Sequence, residues 1–386
     1  MGRIKFLPEF GWQPIVVSAA ESVSYPKDYS LLKAIPDSIE VHRVGHREPP
    51  REWTYARQKL KLNFIFPDQY QRWYSPALQE ARKILQKEKV DLIYSVSAPY
   101  TCHFIAMKLK KEFNIPWVTE WGDPWAENHF LKLHYDKTLI KPLRQFQKLL
   151  IKRGERNILR AADKSIVDCE PHQQQLCEAY GFTHEKIELI TDSGYDESDF
   201  TELQAQALYP DKLTIVFLGS VYPDFMGPIQ NFLNAVNEAA KDVEIAFIGQ
   251  GATALQGINM ENLTCILHLV KEKALAFALG SDFLFIVMPP SARWIPGKLF
   301  EYLRLGKPIL GLVPEDGDPA KIIKEARAGF ILSYDPEEMK QQLKAIFNQW
   351  KQGRLKNFEP DWEYVAQFER HNLTRKLVAV FNKVTS

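Results

Sequence analysis

Short apolar runs alternate with amphipathic stretches along almost the whole chain, and that alternation limits what it can fold into. A strand buried on both faces reads as a continuous apolar run, whereas a helix laid against a sheet reads as a stripe of roughly 3.6-residue period. The pattern is that of βα units around parallel sheets, an α/β class. In the first half, strands are predicted at Pro14 to Ser18, Asp91 to Val96, Pro116 to Glu120, Ser165 to Asp168 and Ile187 to Ile190, and helices at Ser75 to Glu88, Thr101 to Phe113, Lys141 to Ala161 and Pro171 to Tyr180. A polar stretch from Phe200 to Asp211 reads as a linker. The pattern then restarts. Strands are predicted at Leu213 to Leu218, Glu244 to Ile248, Thr264 to His268, Asp282 to Val287 and Ile309 to Leu312, with helices at Pro228 to Ala240, Lys271 to Leu279, Gly297 to Leu305, Pro319 to Ala328 and Pro336 to Lys351.

With 386 residues, 45% of them hydrophobic, the chain can build two cores. The expected domains are residues 1–203 and 211–358, both doubly wound, followed by a terminal amphipathic helix within 359–386 that spans Trp362 to Val384. Open sheets of this kind bind ligands at the carboxyl ends of their strands, so a cleft between the two domains is the expected site. Basic and acidic residues number 49 and 48, which gives no polyanion signature and no expectation of nucleic acid. The four cysteines show neither CxxC nor a paired spacing with histidine, so zinc and a disulfide framework are not expected and a reducing cytoplasm is. No run of about 18 apolar residues occurs, and the amino terminus lacks the charged-then-apolar order of a secretory signal. The expected location is cytoplasmic, either soluble or peripheral on the inner face of the membrane.

The segment Asp282 to Val313 carries the most chemistry: an apolar strand, a proline-punctuated loop, a short helix opening at Gly297, and a second apolar strand. Lys298 stands in the first turn of that helix, where a cation is disfavoured by about 0.3 to 1 kcal/mol, which points to an anion in the same place. Glu301, one turn on, could accept hydrogen bonds from two vicinal hydroxyls, as a ribose beside a diphosphate offers. The plainer alternative is that Glu301 favours the helix dipole and pairs with Lys298 at the surface. Asp316-Gly317-Asp318 has the spacing of a metal-binding D-x-D, but it precedes a helix, where aspartate serves as a cap.

The run Pro296-Gly297-Lys298-Leu299-Phe300-Glu301-Tyr302-Leu303, closed by Gly306-Lys307-Pro308-Ile309-Leu310, resembles the donor-site segment of retaining, family-4-like glycosyltransferases of the GT-B fold, often P-x-K-x-x-E-Y-x-x-x-G-K-P-I. The resemblance implies two Rossmann-like domains facing a central cleft, the first binding acceptor and the second a nucleotide diphosphate sugar, with the terminal helix crossing back to the first. It implies a hexosyltransferase-type reaction with retention, serving polysaccharide or glycolipid synthesis, with a glycan or lipid-linked acceptor and no metal or other cofactor. Donor contacts carry over to Gly219 and Ser220, Gly249 and Gly251, His268 near the base, Arg293, Gly297, Lys298 and Glu301. Asp123 and Lys298 are the implied catalytic residues. Trp121, Asp123 and Trp125, in a segment similar to R-D-x-W, and His103, in the helix after a serine- and proline-containing loop, are implied to bind acceptor or sugar. Asp192-Ser193-Gly194-Tyr195-Asp196 resembles an N-G-x-D turn.

The departures are specific. Ser220 and Gly227 stand where an arginine and a lysine are common, Gly122 where an arginine is, and Arg293 where the first glutamate of E-x7-E would fall. The chain opens at what resembles the end of the relatives' first helix, so either the start is placed late or this version lacks the first strand. Several residues also admit plainer roles: Gly219 and Gly249 as turn glycines, Asp123 as a cap before Pro124, His103 as a packed side chain, Arg293 as an exposed loop residue. A sugar-nucleotide epimerase and a non-catalytic partner with the same fold are the alternative functions.

Between Lys137 and Arg160 eight cations face one acid, Glu155, and interleave with Leu143, Phe146, Leu149, Leu150 and Ile151. This basic amphipathic helix suits an anionic membrane surface or a lipid-diphosphate acceptor, or else a solvated helix packed on its sheet.

Overall fold

The computed structural model describes residues 2–20, 35–45, 66–127, 141–250, 252–267 and 269–386. They form two compact units, one of Met1–Asp192 with Leu373–Ser386, the other of Ser193–Asn372.

In the first unit β1 (Ile15–Ala19) and β2 (Glu40–Val44) make a parallel pair, and β3 (Ile93–Ser97), β4 (Trp117–Trp121), β5 (Lys164–Val167) and β6 (Ile187–Leu189) make a separate parallel sheet in chain order. The connecting helices are α1 (Tyr74–Lys87), α2 (Thr101–Phe113), α3 (Lys141–Ala161) and α4 (Glu170–Tyr180). The two sheets share no ladder among the described residues, yet Trp73, Ala77, Leu78 and Ala81 at the start of α1 pack with Ile105 and Leu109 of α2 and with Val17, Val44 and Ile93. Every residue of β4 is buried, so Glu120 within it needs a counter-charge, which the Arg3 guanidinium supplies. On one face of the larger sheet, Val118 and Ile166 pack against Leu7 and against Leu373, Leu377, Val380 and Phe381 of the last helix, Arg370–Thr385.

In the second unit β7 (Leu213–Leu218), β8 (Val243–Ile248), β9 (Leu263–Ile266), β10 (Phe283–Val287), β11 (Ile309–Leu312) and β12 (Gly329–Ile331) form one parallel sheet in the order β12-β11-β10-β7-β8-β9. The chain thus builds outward from β7 through β8 to β9, then returns to lay β10 on the other side of β7. Its helices are α5 (Met226–Ala239), α6 (Ala252–Leu255), α7 (Lys271–Leu279), α8 (Lys298–Leu305), α9 (Asp318–Glu325), α10 (Pro336–Lys351) and α11 (Trp362–Ala366). β7 reads LTIVFL because both its faces are covered: Ile215 and Phe217 join the core under α5 and α10, while Val216 and Leu218 join the core under α7 to α9. Phe232 of α5 stacks on Phe285 of β10 with ring centroids 3.7 Å apart.

Two expectations need correction. Residues Trp362 to Val384 are not one helix, because between α11 and the last helix the backbone turns aside to pair with Tyr195, whose N–H donates to Phe368 O and whose C=O accepts from Arg370 N–H at 2.9 Å. The polar stretch before β7 lies on the end of α7, where Gln206 N–H donates to Ala276 O at 3.0 Å. A Cβ on Gly280 would come within 2.3 Å of the Gln206 carbonyl oxygen, so that close approach requires glycine.

Candidate functional site

The strand order of the second unit reverses between β7 and β10, and the loops leaving β7, β8 and β10 gather at their carboxyl ends. Gly219 follows β7 and Gly249 follows β8, both with positive φ, 119° and 133°. A Cβ on Gly249 would lie 2.5 Å from Gly219 O, and one on Gly219 would lie 2.7 Å from Lys298 Nζ. The two glycines therefore let the lysine of α8 come down onto the backbone at the switch point. Its ammonium sits 3.8 Å from the centre of the Phe217 ring. No hydrogen bond or ion pair engages it among the described residues. Burial strips water from the charged form and pushes its pKa down to about 7, with the Glu301 carboxylate opposing only in part.

Glu301 is held elsewhere. Its Oε1 accepts from Lys271 Nζ at 2.8 Å, and Lys271, the first residue of α7, also bonds Asp199 Oδ2 at 2.7 Å. The surface pair between Lys298 and Glu301 that their spacing allows is not the one formed. Tyr302, next along α8, is wholly buried and its Oη accepts from Leu218 N–H at 2.8 Å. β10 pairs with β7 only through Ile215 and Val216, so the last N–H of β7 on that side needs this partner.

The other donor-site expectations fall around this centre. Gly297 is the exposed N-cap of α8, and a Cβ there would lie 3.1 Å from Ser193 Oγ. Ser220 is half-buried beside Gly219. Arg293 is exposed, donating to Ala292 O at 2.7 Å and lying 3.7 Å from Asp316, so its charge is engaged within its own surroundings. Asp316 is thereby an ion-pair partner, while Asp318 opens α9 after an N-cap at Gly317 rather than capping it. Gly251 and His268 lie outside the described residues. Leu267 and Val270, flanking His268, are exposed by 50% and 62%, leaving apolar surface between β9 and Lys271.

In the first unit Asp123, Asp168 and Asp192 follow β4, β5 and β6, three neighbouring strands. Burial raises the Asp123 pKa, the negative charges of Asp168 and Asp192 raise it further, and His172 opposes them. Asp123 nevertheless keeps an exposed side. Asp168 Oδ1 stands 3.6 Å from Nδ1 of the buried His172. A Cβ on Gly122 would come 3.0 Å from Asp192 Oδ2. Sequence reasoning placed Asp192 in a turn without connecting it to Asp123 and missed Asp168 and His172, because strand adjacency brings the three aspartates together and α4 carries His172.

Trp121, Trp125 and His103 are placed differently from expectation. Both indoles are enclosed: Trp121 points inward from the central strand and bonds Thr119 Oγ1 at 3.0 Å, and Trp125 stacks on Tyr100 at 4.7 Å between centroids. Neither offers a face to a sugar. His103 is fully buried against Trp121, its Nδ1 is 2.8 Å from Ser95 Oγ, and burial pushes its pKa down to about 3, so it packs as a neutral ring. Glu155, the acid in the basic helix, pins the loop after Asp123 by accepting from Trp125 and Ala126 N–H at 3.2 and 3.1 Å.

The described residues contain no cluster of three or more metal-binding side chains, and no described helix is long and apolar enough to cross a membrane. Residues 8–191 match Glycosyltransferase Family 4. No curated protein sequence matches the chain. Among solved structures it is similar to sucrose-phosphate synthase from Thermosynechococcus elongatus, with a TM-score of 0.67 at 14% identity over 99% of this chain and 91% of that one. It is also similar to a glycosyltransferase from Rickettsia africae, TM-score 0.62 at 14% identity over 99% and 93%, and to Anabaena HepE in complex with UDP and glucose, TM-score 0.61 at 12% identity over 96% and 99%. At these identities the likeness establishes the fold, which is GT-B.

Proposed function

We propose that this chain, which has the GT-B fold and whose residues 8–191 match Glycosyltransferase Family 4, is a glycosyltransferase that moves a hexose from a nucleotide diphosphate sugar to a hydroxyl with retention of configuration. The acceptor is a growing glycan or a lipid-linked one. The observation that carries the donor assignment is the Lys298 ammonium lowered onto Gly219 at the switch point, half-dehydrated and without an anionic partner among the described residues. A diphosphate supplies that anion. The UDP and glucose held by HepE support a donor of this class.

In this reading the bond from C1 of the sugar to the diphosphate oxygen breaks while the acceptor oxygen attacks C1 from the same face. The departing oxygen takes the acceptor proton. Lys298 and the N–H groups of the Gly219-Ser220 loop stabilise charge growing on the diphosphate, an effect worth about 3 kcal/mol per donor. They stand in for the arginine and lysine absent at 220 and 227, and no metal enters the step. Glu301 accepts the ribose hydroxyls, and Asp123 orients the acceptor or the transferred sugar.

A thermal-shift panel of UDP, GDP, ADP and their sugar conjugates tests the reading, because ligands of the native state raise the melting temperature. A rise selective for one base is the expected result. No rise with any of them overturns it in favour of a non-catalytic partner.

The membrane assignment rests on α3, where Phe146, Leu149, Arg153, Arg156 and Arg160 share one exposed stripe at three- and four-residue spacing. Apolar rings at one end and guanidiniums at the other fit an anionic bilayer surface, on which the enzyme docks peripherally from the cytoplasmic side.

A further inference from the structure

We propose that Lys271 is a positioning residue that sets the Glu301 carboxylate for a vicinal diol and so makes the site selective for ribonucleotides over 2′-deoxyribonucleotides. The inference rests on the assignment of Glu301 to the ribose and deepens it. A carboxylate in the first turn of a short helix is a poor selector when free, because rotation about its side-chain bonds presents its oxygens in many directions. Here Oε1 is fixed by Lys271 at 2.8 Å, which leaves Oε2 as the oxygen available to a ligand. Lys271 is itself fixed, by Asp199 at 2.7 Å and by its position as the first residue of α7. Burial alone would lower its pKa, but the Glu301 and Asp199 carboxylates outweigh that and raise it, so the ammonium remains charged while it serves both.

The location fits a sugar joined to a base. Val270, exposed and adjacent to Lys271, and Leu267 offer apolar surface on one side, and Lys298 lies one helical turn from Glu301 on the other. A carboxylate oxygen fixed to accept a substrate hydroxyl discriminates against the analogue lacking it, because a hydrogen bond to a charged acceptor is then lost. That penalty is large only if the acceptor oxygen cannot swing away, which is what the Asp199–Lys271–Glu301 chain prevents.

The test is the ratio of dissociation constants for 2′-deoxy and ribo forms of UDP, GDP and ADP, measured calorimetrically on the full chain for wild type, Glu301→Ala, Lys271→Met, Lys271→Arg and Asp199→Asn. The base that binds wild type should show a ratio of about tenfold or more. Lys271→Met and Glu301→Ala should bring it close to unity, Lys271→Arg should keep most of it, and Asp199→Asn should lower it part way. If Lys271→Met weakens both forms equally, or tightens binding, Lys271 acts only as a general or competing charge and the proposal falls. If Glu301→Ala keeps the ratio, the ribose assignment itself fails; absence of any binding to wild type removes both. Should Lys271→Met fail to fold, an unchanged ratio in Asp199→Asn overturns the proposal.

Discussion

Lys298 turns away from Glu301, the carboxylate one turn along its own helix, and places its ammonium 3.8 Å from the centre of the Phe217 ring. Glu301 pairs instead with Lys271, and no carboxylate among the described residues forms an ion pair with Lys298.

Its titration gives the first prediction. The folded-state pKa is lowered to about 7 from the ordinary 10.5, so between those values the unfolded chain holds a proton that the native one has released. Stability of the ligand-free protein therefore rises with pH across that window, and below about 7 the penalty is constant. Nucleoside diphosphate binding draws the proton back. Calorimetry between pH 6 and pH 9 should show affinity falling above pH 7, by at most about tenfold per unit, with proton uptake that depends on buffer. Lys298→Arg should bind with a flat profile, and an equally steep profile in that variant would refute the assignment.

Glu301→Ala should abolish transfer while the fold survives. Its ion pair with Lys271 is half-exposed, so stability should change by about 1 kcal/mol or less, read by denaturant titration. Full activity in this variant would remove the ribose assignment.

Asp123→Asn should lower transfer about 100-fold and leave nucleoside diphosphate affinity unchanged. Because burial and two neighbouring carboxylates raise its pKa, the ionised form is lost at higher pH than for a free aspartate, and the acid limb of the rate profile should sit correspondingly high. Asp168→Asn, by removing one of those charges, should move that limb downward. A limb that stays put would detach it from Asp123.

Tyr302→Phe keeps the ring and deletes the acceptor of Leu218 N–H. A buried donor left unsatisfied costs about 1 to 3 kcal/mol, measurable by chemical denaturation, and donor affinity should fall with it because Gly219 follows directly. Unchanged stability would mean that Leu218 finds another partner.

Arg153→Glu with Arg156→Glu should reduce co-sedimentation with vesicles rich in phosphatidylglycerol, with no effect on neutral vesicles, each charge contributing about 1 kcal/mol near the surface. Equal recovery with both vesicle types would count against the docking stripe.

Much of the α/β order was readable because strands such as β7 and β10 are covered on both faces and show it as unbroken apolar runs. β2 was not, since Glu40, His42 and Arg43 interrupt it, and β12 is only three half-buried residues. The three-residue spacing of Lys298 and Glu301 was legible, but not the neighbour of either, because Phe217 is brought in by β7 and Lys271 by α7. Trp121 and Trp125 misled for a physical reason: an indole suits a sugar face and a core equally well, and local sequence does not say which side of a strand is open. Tyr302 could not have been assigned without knowing where the β7–β10 ladder stops.

The pairing of Tyr195 with Glu369, reinforced by Arg370 bonding Asp196 at 2.6 Å, ties the chain's entry into the second unit to its exit. The polypeptide between them is thus a loop closed at its neck, and only beyond that clasp does the last helix, Arg370–Thr385, run on into the first unit.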